Sequence, residues 1–145
     1  MNRAARLEPI ADYVNKVEDE AARRLAASVK ALQTKEHEVE QLRSYLAEYR
    51  RRAELDQQST DSMRWQNTRA FLARLSGVVA VQEAELAKAV ECHRLETERW
   101  RDSYRRSKSL DQFIERGQRE AAQELDKRTQ AELDESALRR LLHGR

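Results

Sequence analysis

The sequence predicts an all-α protein: a long antiparallel two-helix coiled coil (an α-hairpin) forming a single domain, with the second helix overhanging the first. Three observations predict it. Only four of the 145 residues are Gly or Pro, where ordinary usage would supply roughly 17, so turns must be few. Apolar residues recur at spacings of three and four over long stretches, which marks a helix packed along one stripe. Only one polar segment makes a good break in that pattern. Lys plus Arg number 28, Asp plus Glu 26, and 20 residues are alanine, which leaves too few large apolar side chains for a multilayer core.

The first helix is predicted over about residues 8–56. Its apolar positions are Leu7, Ile10, Val14, Val17, Ala21, Leu25, Val29, Leu32, Val39, Leu42, Leu46, Tyr49 and Ala53. Pro9 disfavours helical geometry at Glu8 but suits a first helical turn, so the helix is expected to start there, after a loose N-terminus. The four-residue steps through Ala21, Leu25 and Val29 predict a stutter that relaxes the supercoil. Polar Lys35 and Glu36 interrupt the seam and predict weak packing.

The break is Asp56-Gln57-Gln58-Ser59-Thr60-Asp61-Ser62, a predicted turn over about 57–62 that ends in residue types favoured at helix N-caps. The second helix is predicted over about 63–140. Its seam runs through Trp65, Leu72, Leu75, Val79, Leu86, Ala89 or Val90, His93, Trp100, Tyr104, Ile114, Ala121 and Leu125, and more thinly through Leu133, Ala137, Leu138 and Leu141. Carboxylates four residues before an arginine recur at Asp19/Arg23, Glu20/Arg24, Glu48/Arg52, Asp102/Arg106, Glu115/Arg119, Glu124/Arg128 and Glu135/Arg139, each supporting a helix by about 0.2–0.5 kcal/mol.

A short connection makes the helices antiparallel. If the turn centres near Thr60, facing residues have numbers that sum to about 120. At 1.5 Å per residue the helices measure roughly 75 Å and roughly 115 Å, so the second outruns the first from near Glu115. Leu125, Leu133, Leu138, Leu141 and Leu142 then lack a partner within the chain and are expected to fray, self-associate or enter another protein. Gly117 lies where the partner ends, either as a hinge or as a tolerated defect costing about 1 kcal/mol. Gly77, opposite Arg43, is expected to permit close helix approach.

Catalysis is disfavoured. His37, His93 and His143 do not converge under this register, so no two of them share a metal. Cys92 and His93 point about 100° apart on a helix, which excludes a thiolate–base pair. Carboxylates on a solvated coil lack the burial that would raise a pKa for general acid work. No catalytic residue, metal site or cofactor is predicted. A net charge of +2 and basic clusters interrupted by acids disfavour nucleic acid as a partner. The lone cysteine fits a reducing compartment. The longest apolar run, residues 78–81, falls far short of the ~20 residues that span a bilayer, and no signal-peptide core is seen. The expectation is a soluble, cytoplasmic protein.

Near the turn the apolar arc exceeds what a two-helix seam requires. Leu42, Tyr45 and Tyr49 form a second stripe on the first helix, and Phe71, Leu75 and Val78 one on the second. The register sets Tyr49 against Phe71, Tyr45 against Leu75 and Leu42 against Val78. The tyrosines read either as seam flanks with hydroxyls in water or as a docking site, since aromatic residues anchor interfaces. Arg43, Arg50, Arg51 and Arg52 supply a basic rim.

The ordered set Leu7-Glu8-Pro9-Ile10, Leu42-x-x-Tyr45-x-x-x-Tyr49-Arg50, Phe71-Leu72-Ala73-Arg74-Leu75 with Gln82-Glu83, Lys108-Ser109-Leu110-Asp111 with Arg116, and Leu133-Asp134-Glu135 resembles the flagellar export protein FliJ family along nearly the whole chain. Arg3-Ala4-Ala5-Arg6 departs from the aromatic start of many relatives. The resemblance implies a cytoplasmic component of the flagellar type III export apparatus, peripheral to the cell membrane at the flagellar base and serving flagellum biogenesis, motility and chemotaxis. It implies a coil like the γ stalk of rotary ATPases that binds and stimulates the hexameric export ATPase FliI, contacts the export gate FlhA and is associated with export chaperones. On the family's pattern Leu42, Tyr45, Tyr49, Phe71, Leu75 and Val78 fall at the gate surface. Leu7, Ile10, Leu133, Leu138, Arg139 and Arg140 are the expected ATPase-ring residues. The alternatives are an injectisome stalk or chaperone escort, a homodimeric coiled-coil scaffold, and a holdase for unfolded cargo.

Overall fold

The computed structural model describes residues 3–57 and 61–144, with side chains from Arg6 onward. Two α-helices pack against each other: α1 (Arg3–Asp56, 54 residues) and α2 (Ser62–His143, 82 residues). Helix α1 begins earlier than Pro9 predicts, and Pro9 lies inside it. Arg3-Ala4-Ala5-Arg6 are strong helix formers, and a proline two turns from a helix end forfeits only one intrahelical bond. The Gln57 amide donates to the Ala53 carbonyl at 3.0 Å, and Trp65 N–H to Asp61 at 3.1 Å. Asp61 is therefore the N-cap of α2. Of the predicted turn, Gln58, Ser59 and Thr60 lie outside the described residues.

The chain divides into two compact units, Glu20–Trp100 and Met1–Asp19 with Arg101–Arg145. In Glu20–Trp100 the seam of α1 is Ala21, Leu25, Ser28, Leu32, Lys35, Val39, Leu42, Leu46 and Ala53, all buried or half-buried. That of α2 is Trp65, Thr68, Leu72, Leu75, Val79, Gln82, Leu86, Ala89, His93, Glu96 and Trp100. Spacings of three and four alternate along both, save one step of seven from Leu46 to Ala53 across exposed Tyr49, and Val39 is fully buried. The predicted stutter is absent because Ser28 is buried in the heptad phase while Val29 is only half-buried beside it. Its hydroxyl donates to the Leu25 carbonyl at 2.7 Å, so the polar group costs little.

Lys35 also holds its seam position. Its ammonium donates to Gln82 Oε1 and Glu85 Oε2, both at 2.9 Å, and lies 3.2 Å from Glu38. A cross-helix polar cluster replaces the weak packing expected there. Tyr49 and Phe71 meet edge to face with ring centroids 5.2 Å apart. The numbers of two of the cross-helix pairs, Lys35 with Glu85 and Tyr49 with Phe71, total 120, the predicted register. Gly77 does not mediate a close approach: it is exposed, and an added Cβ would meet nothing within 4 Å. It points away from the seam residues Leu75 and Val79 on either side of it.

In the terminal unit, Leu7, Ala11, Val14 and Glu18 of α1 are half-buried, as are Ser107, Leu110 and Ile114 of α2, while Ser103 is buried. Ser107 Oγ donates to Asn15 Oδ1 at 2.9 Å. Beyond Ile114 every described side chain is exposed except half-buried Ser136. Leu141, at 77% exposure, is the extreme. Helix α2 continues through Gly117 without a break, and a Cβ there also meets nothing within 4 Å.

Candidate interaction surface

The heptad phase sorts the side chains beside each seam into two flanks. On α1, Glu38, Tyr45 and Arg52 lie on one flank, Arg43 and Arg50 on the other. On α2 the corresponding sets are Arg64, Phe71, Val78 and Glu85, and Arg69, Ser76 and Glu83. Antiparallel packing joins like with like. Arg43 Nε meets Glu83 Oε1 at 2.9 Å on one flank. Lys35 with Glu85, and Tyr49 with Phe71, close the other.

This sorting places the exposed apolar side chains of the turn-proximal segment, except Met63 on the outer face of α2, on the flank of Tyr45 and Phe71. Tyr45 is 56% exposed and Val78 48%, with Tyr49 and Phe71 near 40%. Leu42 and Leu75 are half-buried and form the floor between them. Glu38, Gln41, Leu42, Tyr45 and Gln82 line a shallow groove across both helices. The flank of Arg43 and Arg69 carries no large exposed apolar residue among residues 43–82. The structure adds two residues that sequence reasoning missed, Val81 and Leu55, both exposed. The steps 71, 74, 78 and 81 carry the signal for Val81, but Arg74 interrupts the apolar run.

The basic rim is arranged differently from the linear sequence. Arg52 pairs with Glu48 at 2.8 Å and lies 5.9 Å from the Tyr49 ring centroid. Arg43 and Arg50 belong to the opposite flank. Arg50, Arg51, Arg64, Arg69 and Arg74 have no ionic partner among the described residues. Elsewhere three of the predicted pairs form, at Glu115/Arg119, Glu124/Arg128 and Glu135/Arg139, while Asp102 approaches Arg105 at 3.8 Å.

Of the expected ATPase-ring residues, Leu7 is half-buried, whereas Ile10, Leu133, Leu138, Arg139 and Arg140 are exposed. Tyr13 and Phe113 add exposed apolar surface on the flank of Ile10. Continuing the heptad phase past Ile114 reaches Gly117, Ala121, Glu124, Arg128, Ala131, Glu135, Leu138 and Leu142, so Leu125, Leu133 and Leu141 stand off the seam. The leucines of this segment are thus divided between the phase that pairs α1 with α2, at Leu138 and Leu142, and positions outside it.

Titration is perturbed at two charged clusters, around Lys35 and around Arg94. Hydrogen bonding to Glu85, then to Glu38, raises the Lys35 ammonium above its ordinary value. The same bond lowers Glu85, and Arg94 lowers Glu91. Glu96, half-buried in the seam, has one carboxylate oxygen without a hydrogen-bond partner. Among the described residues no three His, Cys, Asp or Glu side chains are placed to hold a metal, and no helix is long and apolar enough to cross a membrane.

The distinguishing surfaces of this helical hairpin are an apolar flank, a basic turn region and an exposed helical extension. Over residues 2–145 it matches the family described as flagellar FliJ protein, and the chain belongs to that family. No curated relative and no solved structure matches it. The family is a non-catalytic component of the flagellar protein-export apparatus.

Proposed function

We propose that the protein is a stalk that binds and stimulates the export ATPase ring, FliI-like, and joins it to the export gate, FlhA-like. It acts at the cytoplasmic face of the membrane at the flagellar base. The observation that carries this reading is the segment of α2 beyond Ile114, whose leucines are exposed, with Leu125, Leu133 and Leu141 off the heptad phase. A helix that required only a second copy of itself would keep its leucines on one seam; this one spreads them over a wider arc, which suits a surrounding socket. Leu133, Leu138, Arg139 and Arg140, with Leu7 and Ile10, supply the ring contacts. Leu42, Tyr45, Tyr49, Phe71, Leu75 and Val78 supply the gate contacts.

Such a stalk works by differential contact: it favours the ring conformation or assembly that it binds best, and no bond is made or broken in it. Deleting the chain after Gln118 removes the socket-filling segment and spares the paired residues. That deletion abolishes stimulation of the cognate ATPase while the helical signal per paired residue is retained. Tyr45→Ala with Phe71→Ala weakens gate binding by about tenfold or more, as loss of two aromatic anchors does, at nearly constant helicity. Undiminished binding by that pair returns both rings to a role in flanking the seam.

A further inference from the structure

Residues 43–82 contain seven arginines and four carboxylates, a net +3 that exceeds the whole chain's +2 and leaves the remainder at −1. Five of those arginines lack an ionic partner among the described residues. Two of the five, Arg64 and Arg74, stand on the apolar flank. With Phe71, Val78 and Val81 they form one stripe of α2 at steps of seven, three, four and three, the period of a helix-binding seam. Across the groove from it stand Tyr45 and Arg52.

We propose that this flank takes an acidic amphipathic helix of the gate protein. The helix lays its apolar face on Tyr45, Phe71, Val78 and Val81 and directs carboxylates to Arg64 and Arg74. The proposal rests on the gate-binding reading above and adds the chemistry and side of the contact. The charge argument selects the partner: unpaired guanidiniums beside an apolar seam favour carboxylates, with which they form bidentate pairs. The face opposite, with Arg50 and Arg69, has arginines but no large exposed apolar residue, so charge alone does not define a site there.

The test is titration of the full chain with the cytoplasmic region of the cognate gate protein, at about 50 and about 300 mM NaCl, over which surface charge is progressively screened. Arg64→Glu with Arg74→Glu is expected to weaken binding about tenfold or more at the lower salt and to flatten the salt dependence. Arg50→Glu with Arg69→Glu stays within about twofold of the parent, and circular dichroism checks that each variant keeps its helicity. Unchanged affinity and salt slope in R64E/R74E overturns the acidic-helix inference, and if Y45A/F71A still loses binding the gate reading survives. Equal loss in both arginine pairs also overturns it, since the attraction would then be diffuse charge. Absence of binding by the parent chain overturns the gate reading and the inference together. Binding to vesicles containing anionic lipid that R64E/R74E abolishes, with gate binding intact, assigns the arginines to a lipid surface and overturns the inference.

Discussion

Lys35 places a charge in the seam and carries it across to the other helix. A lysine in a heptad seam reads as a defect, yet its long stem stays among seam residues while its ammonium reaches Glu85 and Gln82 on the other helix. The Glu85 carboxyl is held below its ordinary value by that bond. Its contribution is therefore full above the unfolded glutamate pKa of about 4.3 and is lost as the pH falls through the lower folded value. Lys35, raised by the same partner, contributes fully below the ordinary lysine value of about 10.4 and loses this only as the pH rises through its higher folded pKa. Lys35→Met is expected to reduce the loss of thermal stability between about pH 6 and about pH 3 relative to the parent. An identical pH dependence in the two proteins, measured by thermal melts, would show that the bridge adds nothing.

At the scale of the helix, the two internal glycines carry a prediction. Neither has a close neighbour and α2 runs through both, so each weakens the helix without serving packing. Gly77→Ala is expected to raise stability by about 1 kcal/mol in urea denaturation, whereas a site of close helix approach would be destabilised. Gly117→Ala raises the helix content of the extension. The helices themselves were legible in the sequence because three-and-four spacing and the shortage of breaking residues specify them directly. The register was legible from one short connection, as the Tyr49–Phe71 and Lys35–Glu85 contacts attest. The polar seam positions were not, since Ser28, Lys35, Gln82 and Glu96 give no apolar signal and only the packed phase identifies them. Pro9 misled for a related reason: its local preference was outweighed by the helix formers preceding it.

For the whole molecule, the apolar surplus at Tyr45, Tyr49 and Phe71 was readable as extra hydrophobic stripes. Its restriction to one flank, and the addition of Val81 and Leu55, required knowing which sides of α1 and α2 face each other. The separation of Arg64 and Arg74 from Arg50 and Arg69 follows from the same geometry and cannot be read from linear clusters of charge. Family membership places the chain in flagellar protein export. The exposed leucines beyond Ile114 and the one-sided apolar flank are two separate surfaces of the hairpin. The central claim is that the extension engages and stimulates the export ATPase. ATP hydrolysis by the cognate export ATPase, measured alone, with the full chain and with the chain ended after Gln118, tests it most directly. Stimulation by the full chain and none by the truncated one is the expected result; equal stimulation by both would contradict engagement through the extension.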